Sequence, residues 1–218
     1  AAPAEAVQRD LAGNRLEPLT EQPGPAAADS AGAASVWYCT ADRHWCLRTA
    51  REGEQGPSHL EVAEQVAGES EPRFRHVPLE QGDNERNYQP WRYILRMAPG
   101  IGAPRQPSDP QQAARENVLV GALGEWNTMY SGGGASASRL VISRIYHEDD
   151  GIQIDPVLEL PSDGNAMIRA CFSEQDTAQR AGACHDEYSF SADLRLDPAG
   201  THMPLLRYST TATRCSAG

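Results

Sequence analysis

The chain has 218 residues, a formal net charge of −11 and 39% hydrophobic residues, and its 19 basic residues are all arginine. Without lysine, Schiff-base enzymes, P-loop phosphate sites and serine–lysine hydrolases are excluded, since each needs that amine. The acidic balance disfavours nucleic acid and anionic membrane surfaces, and no apolar run approaches the roughly 18 residues of a membrane-spanning helix.

Residues 1–34, rich in Ala, Pro, Gly and Glu, read as a flexible arm. Within it Ala4 to Leu16 is expected to form a short helix with Val7 and Leu11 inward, ended by Pro18, Pro23 and Pro25. The start at Ala1-Ala2-Pro3-Ala4, with no Met and no signal peptide, suits an exported chain whose leader or lipid anchor has been removed.

Residues 35–218 read as one disulfide-braced β domain. Val36–Thr40 and Trp45–Arg48 flank a four-residue loop, and counting back from that loop sets Thr40 against Trp45 and Cys39 against Cys46. Directly opposed cysteines of this kind are close enough to bridge. Ser58 with Glu61 reads as a capping box opening a short helix over Leu60, Val62, Ala63 and Val66. Arg73–Leu79 and Trp91–Met97 are extended, the latter with Trp91, Tyr93, Leu95 and Met97 on one face and Arg92, Ile94 and Arg96 on the other. Residues 99–112 are a Pro/Gly-rich loop, and Ser108 and Pro110 open a single helical turn ending near Glu116.

The C-terminal half is more strongly β. A strand over 117–130 leads into Ser131-Gly132-Gly133-Gly134-Ala135-Ser136-Ala137-Ser138, read as a hairpin loop, and a strand over 138–147 returns. Asp150-Gly151 signals a tight turn, and Ile152, Ile154 and Val157 start the next strand. Asn165–Phe172 is expected to pair, across a long connection, with Cys184–Leu196, which alternates with Tyr188, Phe190, Ala192, Leu194 and Leu196 inward. Cys171 and Cys184 end one strand and begin the next, and form the second expected bridge. A last strand spans Pro204–Thr213, and Cys215 is left over. The spacing predicts an all-β fold, mainly an antiparallel sandwich or barrel with a small propeller as the third architecture, plus one or two short helices and the N-terminal arm. The paired cysteines place the chain in an oxidising compartment.

No catalytic, cofactor or metal motif stands out. His147-Glu148-Asp149-Asp150-Gly151 fails the EF-hand spacing, because Tyr146 and Val157 fall where ligands are required. A one-sided Ca²⁺ site near Asp149 and Asp150 stays open. His185 and Glu187 share a strand face but make only two ligands. The Gly-rich stretch lacks the G-x-S-x-G elbow. Its functional reading is a recognition loop: Ser131, Gly132, Gly133, Gly134 and Ser136 let a partner approach closely, with Trp126 and Tyr130 as aromatic anchors.

Tyr130–Ser136, Ile168–Glu174 and Ala183–Tyr188 together resemble uncharacterised periplasmic proteins of high-GC Gram-negative bacteria. A looser similarity is to periplasmic lysozyme inhibitors and immunity proteins, β folds that insert a Ser-Gly loop into a wall-degrading enzyme; Ser131-Gly132 matches that element. The resemblance implies a periplasmic, non-enzymatic, protein-binding or inhibitor protein without cofactor, whose partner is a basic wall-degrading enzyme or toxin. One alternative is an envelope hydrolase using Ser131 or Ser136 with His185 and Asp186. Another is a structural envelope protein assembling with itself, with Cys215 as an intermolecular bridge.

Overall fold

The structure, a computed structural model, describes residues 6–24, 36–51, 58–66, 68–79, 87–101, 117–148 and 151–216. It is all-β: a large curled antiparallel sheet in the form of a half-barrel, a smaller second sheet, and one short helix. The strands are β1 (Gln8–Arg9), β2 (Arg15–Pro18), β3 (Thr20–Gln22), β4 (Trp37–Cys39), β5 (Trp45–Arg51), β6 (Ser58–Glu64) and β7 (Arg73–Pro78). They continue as β8 (Asn87–Pro90), β9 (Tyr93–Arg96), β10 (Val118–Tyr130), β11 (Gly133–Glu148), β12 (Gly151–Arg169), β13 (His185–Leu196) and β14 (Leu206–Ser216). The helix, α1, spans Glu174–Gln179.

The large sheet runs β1-β2-β9-β10-β11-β12-β13-β14, with β8 also on β10; the small one runs β3-β4-β5-β6-β7. Two apolar clusters use the two faces of the large sheet. Between the sheets, Trp45, Leu47, Leu60, Val62 and Val77 meet Ile94, Val118, Val120 and Ile145. On the other face the curl encloses Leu16, Trp91, Leu95, Leu119, Ile142 and Leu196. That curl is closed at its base by the N-terminal strands: Gln8 Oε1 accepts from Leu196 N at 2.9 Å, and Ala12 N donates to Gly200 O at 2.9 Å. The expected face of Trp91, Tyr93, Leu95 and Met97 packs into this second cluster, while Ile94 points into the first.

Three local readings are corrected. Residues 8–22, expected in a flexible arm and partly as a helix, form β1, β2 and β3, and Leu16 is completely buried. Periodicity misleads here because the chain passes from the large sheet to the small one at Leu19, so neither stretch is long enough to show strand alternation. Ser58–Glu64 is strand β6, not a capped helix. The apolar residues Leu60 and Val62 fill the inter-sheet core, and Glu61 accepts from Arg48 Nε at 2.6 Å instead of capping. Gly133–Ser138 belongs to strand β11, not to a loop, and pairs with both β10 and β12. The residues at 25–34 and the turn expected near Glu116 lie outside the described residues, as does Asp150; Gly151 is the first residue of β12, opposite Glu148.

The cysteine count holds. Cys39 opposes Cys46 and is bonded to it, Cys171 is bonded to Cys184, and Cys215 is free and exposed. Thr40 N donates to Trp45 O at 2.9 Å, as counting from the loop requires. Two disulfides fit a secreted or extracytoplasmic protein. Among the described residues no helix is long and apolar enough to cross a membrane.

Candidate functional site

Strands β10, β11 and β12 have 13, 16 and 19 residues, far more than the inter-sheet core needs. The surplus forms a distal half that extends past the buried clusters. The β10–β11 ladder keeps one register from Val118↔Ile145 to Tyr130↔Gly133. Residues of one parity on β10 therefore share a face. Val118, Val120 and Ala122 bury in the inter-sheet core, and Trp126, Thr128 and Tyr130 follow them at the same parity along β10.

Directly opposed residues of an antiparallel ladder lie on the same side, so each row across the distal half can be read from the register. One row is Trp126, Ala137, Gly164, Phe190 and Ala212; the next is Thr128, Ala135, Ala166, Tyr188 and Arg214. This face has aromatic groups on β10 and β13 and small residues between them on β11 and β12. The opposite face carries Asn127, Ser136, Asn165, Ser189 and Thr213 in one row. Alternation along β13 matches: Tyr188, Phe190, Ala192 and Leu194 are half-buried, and the intervening residues are exposed.

At the distal end the chain reverses through Ser131-Gly132, directly between the paired Tyr130 and Gly133. Gly133 is obligatory for spatial reasons: a Cβ there would sit 1.9 Å from the Met167 carbonyl oxygen. That close approach lets β12 seat against the turn, where Arg169 N donates to Gly132 O at 2.7 Å. The connection from β12 to β13 is braced beside it. Cys171–Cys184 closes its base, Ser173 Oγ caps α1 by accepting from Asp176 N at 3.1 Å, and Asp176 Oδ2 accepts from Phe172 N at 2.9 Å. The Phe172 amide, then the Ser173 hydroxyl, hold the Asp176 carboxyl below its ordinary range. The side-chain bond from Arg180, at 2.9 and 3.2 Å, does the same for Asp186.

This bracing presents apolar side chains to solvent. Met129 is 87% exposed, Phe172 77%, Tyr130 53%, Ile168 45% and Met167 43%. These are five of the eleven large exposed hydrophobic residues among the described residues, and all five surround the Ser131-Gly132 turn. The Arg169 guanidinium lies 5.5 Å from the Phe172 ring centroid, at the edge of the patch.

The residues expected from sequence fall into two groups here. Tyr130, Ser131, Gly132, Gly133 and Gly134 are at the tip. Trp126 lies two rows short of it on the aromatic face, and Ser136 sits on the opposite, polar face, accepting from Asn165 Nδ2 at 2.7 Å. His185 is opposite Arg169 on the ladder, and among the described residues no histidine hydrogen-bonds Ser131 or Ser136. Among the described residues no three His, Cys, Asp or Glu side chains are placed to hold a metal ion. Asp149 and Asp150 lie outside those residues.

Sequence reasoning missed Met129, Met167, Ile168 and Phe172. Met167 and Ile168 carry a signal in retrospect: two adjacent large apolar residues on a strand cannot both face one core. No family model, curated protein or solved structure matches the chain.

Proposed function

We propose that the protein is an extracytoplasmic protein-binding module that docks its partner with the distal tip of the large sheet. The observation that carries this reading is the concentration of exposed apolar side chains, Met129, Tyr130, Met167, Ile168 and Phe172, around a turn held rigid by a disulfide, a capped helix and the ladder itself. Scattered surface apolar residues need no explanation, but five gathered at the end of a stiff projection, Met129 and Met167 on one face and Tyr130 and Ile168 on the other, mark an interaction site. Rigidity favours affinity because little entropy is lost on docking.

In its finer form the module is a periplasmic inhibitor of a wall-degrading enzyme, with Ser131-Gly132 entering the enzyme's cleft and the apolar crown sealing the rim. The net charge of −11 would steer a cationic enzyme toward it. The looser similarity of Ser131-Gly132 to the Ser-Gly element of lysozyme inhibitors supports the same partner class.

The test is clearing of a purified peptidoglycan suspension by a basic muramidase, with and without the protein. The native chain should slow clearing at micromolar concentration, and Met129→Ser with Phe172→Ser should weaken inhibition by about tenfold or more. Unchanged clearing with native protein, and no complex on a sizing column, would rule out the inhibitor reading.

A further inference from the structure

Inside the curl of the large sheet, adjoining the second apolar cluster, lies a cavity of about 110 Å³ lined by Trp91, Leu140, Leu160, Leu194 and Tyr208. One wall is fixed in place: Tyr208 reaches across β13, and its hydroxyl donates to Pro161 O on β12 at 2.7 Å. Asp193 borders the cavity too, but its carboxylate is exposed and bonded to Arg195. An apolar cavity of about 150 Å³ stays dry and takes up a hydrocarbon the size of benzene, so this one suits the end of a single hydrocarbon chain.

The same face runs on from the cavity toward the distal end. The β13–β14 ladder has no register shift, so Leu194 and Tyr208, Ala192 and Thr210, Phe190 and Ala212, then Tyr188 and Arg214 share that face in successive rows. On β12, Gly164 lies opposite Phe190 and Ala166 opposite Tyr188. Gly164, Ala166, Phe190 and Ala192 carry no polar side-chain atom, so a peptide laid on them would leave its amides unpaired, whereas a hydrocarbon would not. Six residues separate Leu194 from Tyr188, about 20 Å of strand. At that end the Arg214 guanidinium lies over the Tyr188 ring, 5.7 Å from its centroid. Among the described residues no carboxylate is hydrogen-bonded to Arg214; Asp186, two positions along the same face, is bonded at both oxygens by Arg180. The mouth therefore carries one net positive charge, on a chain whose net charge is −11.

We propose that this trough binds one long-chain fatty acid, with its methyl end in the cavity beneath Tyr208 and its carboxylate at Arg214. The cavity accepts hydrocarbon and excludes a second chain by its volume. The mouth accepts a single anion. Their separation of about 20 Å matches one membrane acyl chain, since each leaflet contributes about half of a bilayer core of roughly 30 Å, with the remainder taken up by the head group. This site goes beyond the docking reading of the Ser131-Gly132 turn and does not depend on it.

The experiment is displacement of cis-parinarate, a fluorescent long-chain fatty acid, from the full chain, read by energy transfer from tryptophan, of which Trp91 borders the cavity. Palmitate should displace it at micromolar concentration. Octanoate, too short to reach both cavity and cation, should be weaker by about a hundredfold or more. Arg214→Gln should weaken palmitate by about tenfold and leave hexadecanol, equally long but uncharged, as it was. Gly164→Leu should abolish binding of both. A Cβ at that position meets nothing nearer than Ser136 O at 3.4 Å, so the backbone accommodates it and the rest of the side chain fills the trough. An unchanged thermal transition confirms that each variant folds. A native chain that shows no energy transfer overturns the proposal. So does binding indifferent to both substitutions, or binding in which lysophosphatidylcholine, with its bulky zwitterionic head, equals palmitate.

Discussion

The hairpin turn at Asp42 clasps the two sheets together, and removing its charge is a quantitative test of that clasp. Asp42 Oδ1 accepts from Thr40 Oγ1 at 2.6 Å and from His44 N at 3.0 Å, and Oδ2 accepts from Arg96 Nη1 at 3.1 Å. Arg96 belongs to the large sheet, so this contact crosses between layers. Burial by itself would raise the Asp42 pKa, but the hydroxyl of Thr40, the His44 amide and the Arg96 guanidinium outweigh it and bring it from 3.8 to about 2. Unscreened, that difference corresponds to about 2.4 kcal/mol at neutral pH. The side chain is 54% exposed, and allowing for solvent screening leaves about 1 kcal/mol. The folded-state pKa is depressed, so the contribution is complete above the unfolded pKa of roughly 4, about half gone by pH 3 and nearly absent at pH 2. Asp42→Asn keeps an acceptor for Thr40 and His44 but removes the charge. Urea unfolding followed by tryptophan fluorescence should show it about 1 kcal/mol less stable at pH 7, with the gap closing toward pH 2. A gap that is absent at pH 7, or that stays constant down to pH 2, would refute the electrostatic account.

Gly133→Ala places a methyl group into the Met167 carbonyl and should cost about 2 kcal/mol or more, confined to the tip. Hydrogen exchange should quicken at residues 129–134 and 167–169 and stay unchanged in the inter-sheet core. Arg75 is 6% exposed and binds Glu64 Oε2 at 2.6 Å, while its Nε and Nη1 have no partner. Arg75→Met alone leaves Glu64 uncompensated and should destabilise by about 3 kcal/mol, whereas adding Glu64→Gln should recover most of that loss in chemical denaturation. Replacing Cys39 and Cys46 together by Ala should lower stability by about 2.5 kcal/mol at unchanged denaturant slope, from the closed-loop entropy of a short hairpin.

The local geometry of this chain was legible where a single hairpin decided it. Counting from the four-residue loop paired Cys39 with Cys46, because register in a hairpin follows from loop length alone. Alternation over Cys184–Leu196 identified the shielded face of β13, since strand side chains repeat every two residues whatever surrounds them. The absence of lysine removed three reaction classes without any structure. Other features depended on long-range packing. Residues 8–22 are fixed as strands by contacts with β9, β4 and β13, up to 188 positions away, so their own short sequences carry no pattern. Ser58–Glu64 has helix-like caps, but the inter-sheet core needed its Leu60 and Val62 on one side, and tertiary burial overrode the local preference. Gly133–Ser138 read as loop because Gly, Ala and Ser have little strand propensity. They form a strand here because neighbours on both sides supply the hydrogen bonds. The apolar crown at the tip is the clearest case. Met129, Tyr130 and Phe172 gather around one turn only when β12 closes onto Ser131-Gly132, a juxtaposition that depends on the sheet's order and not on any one segment.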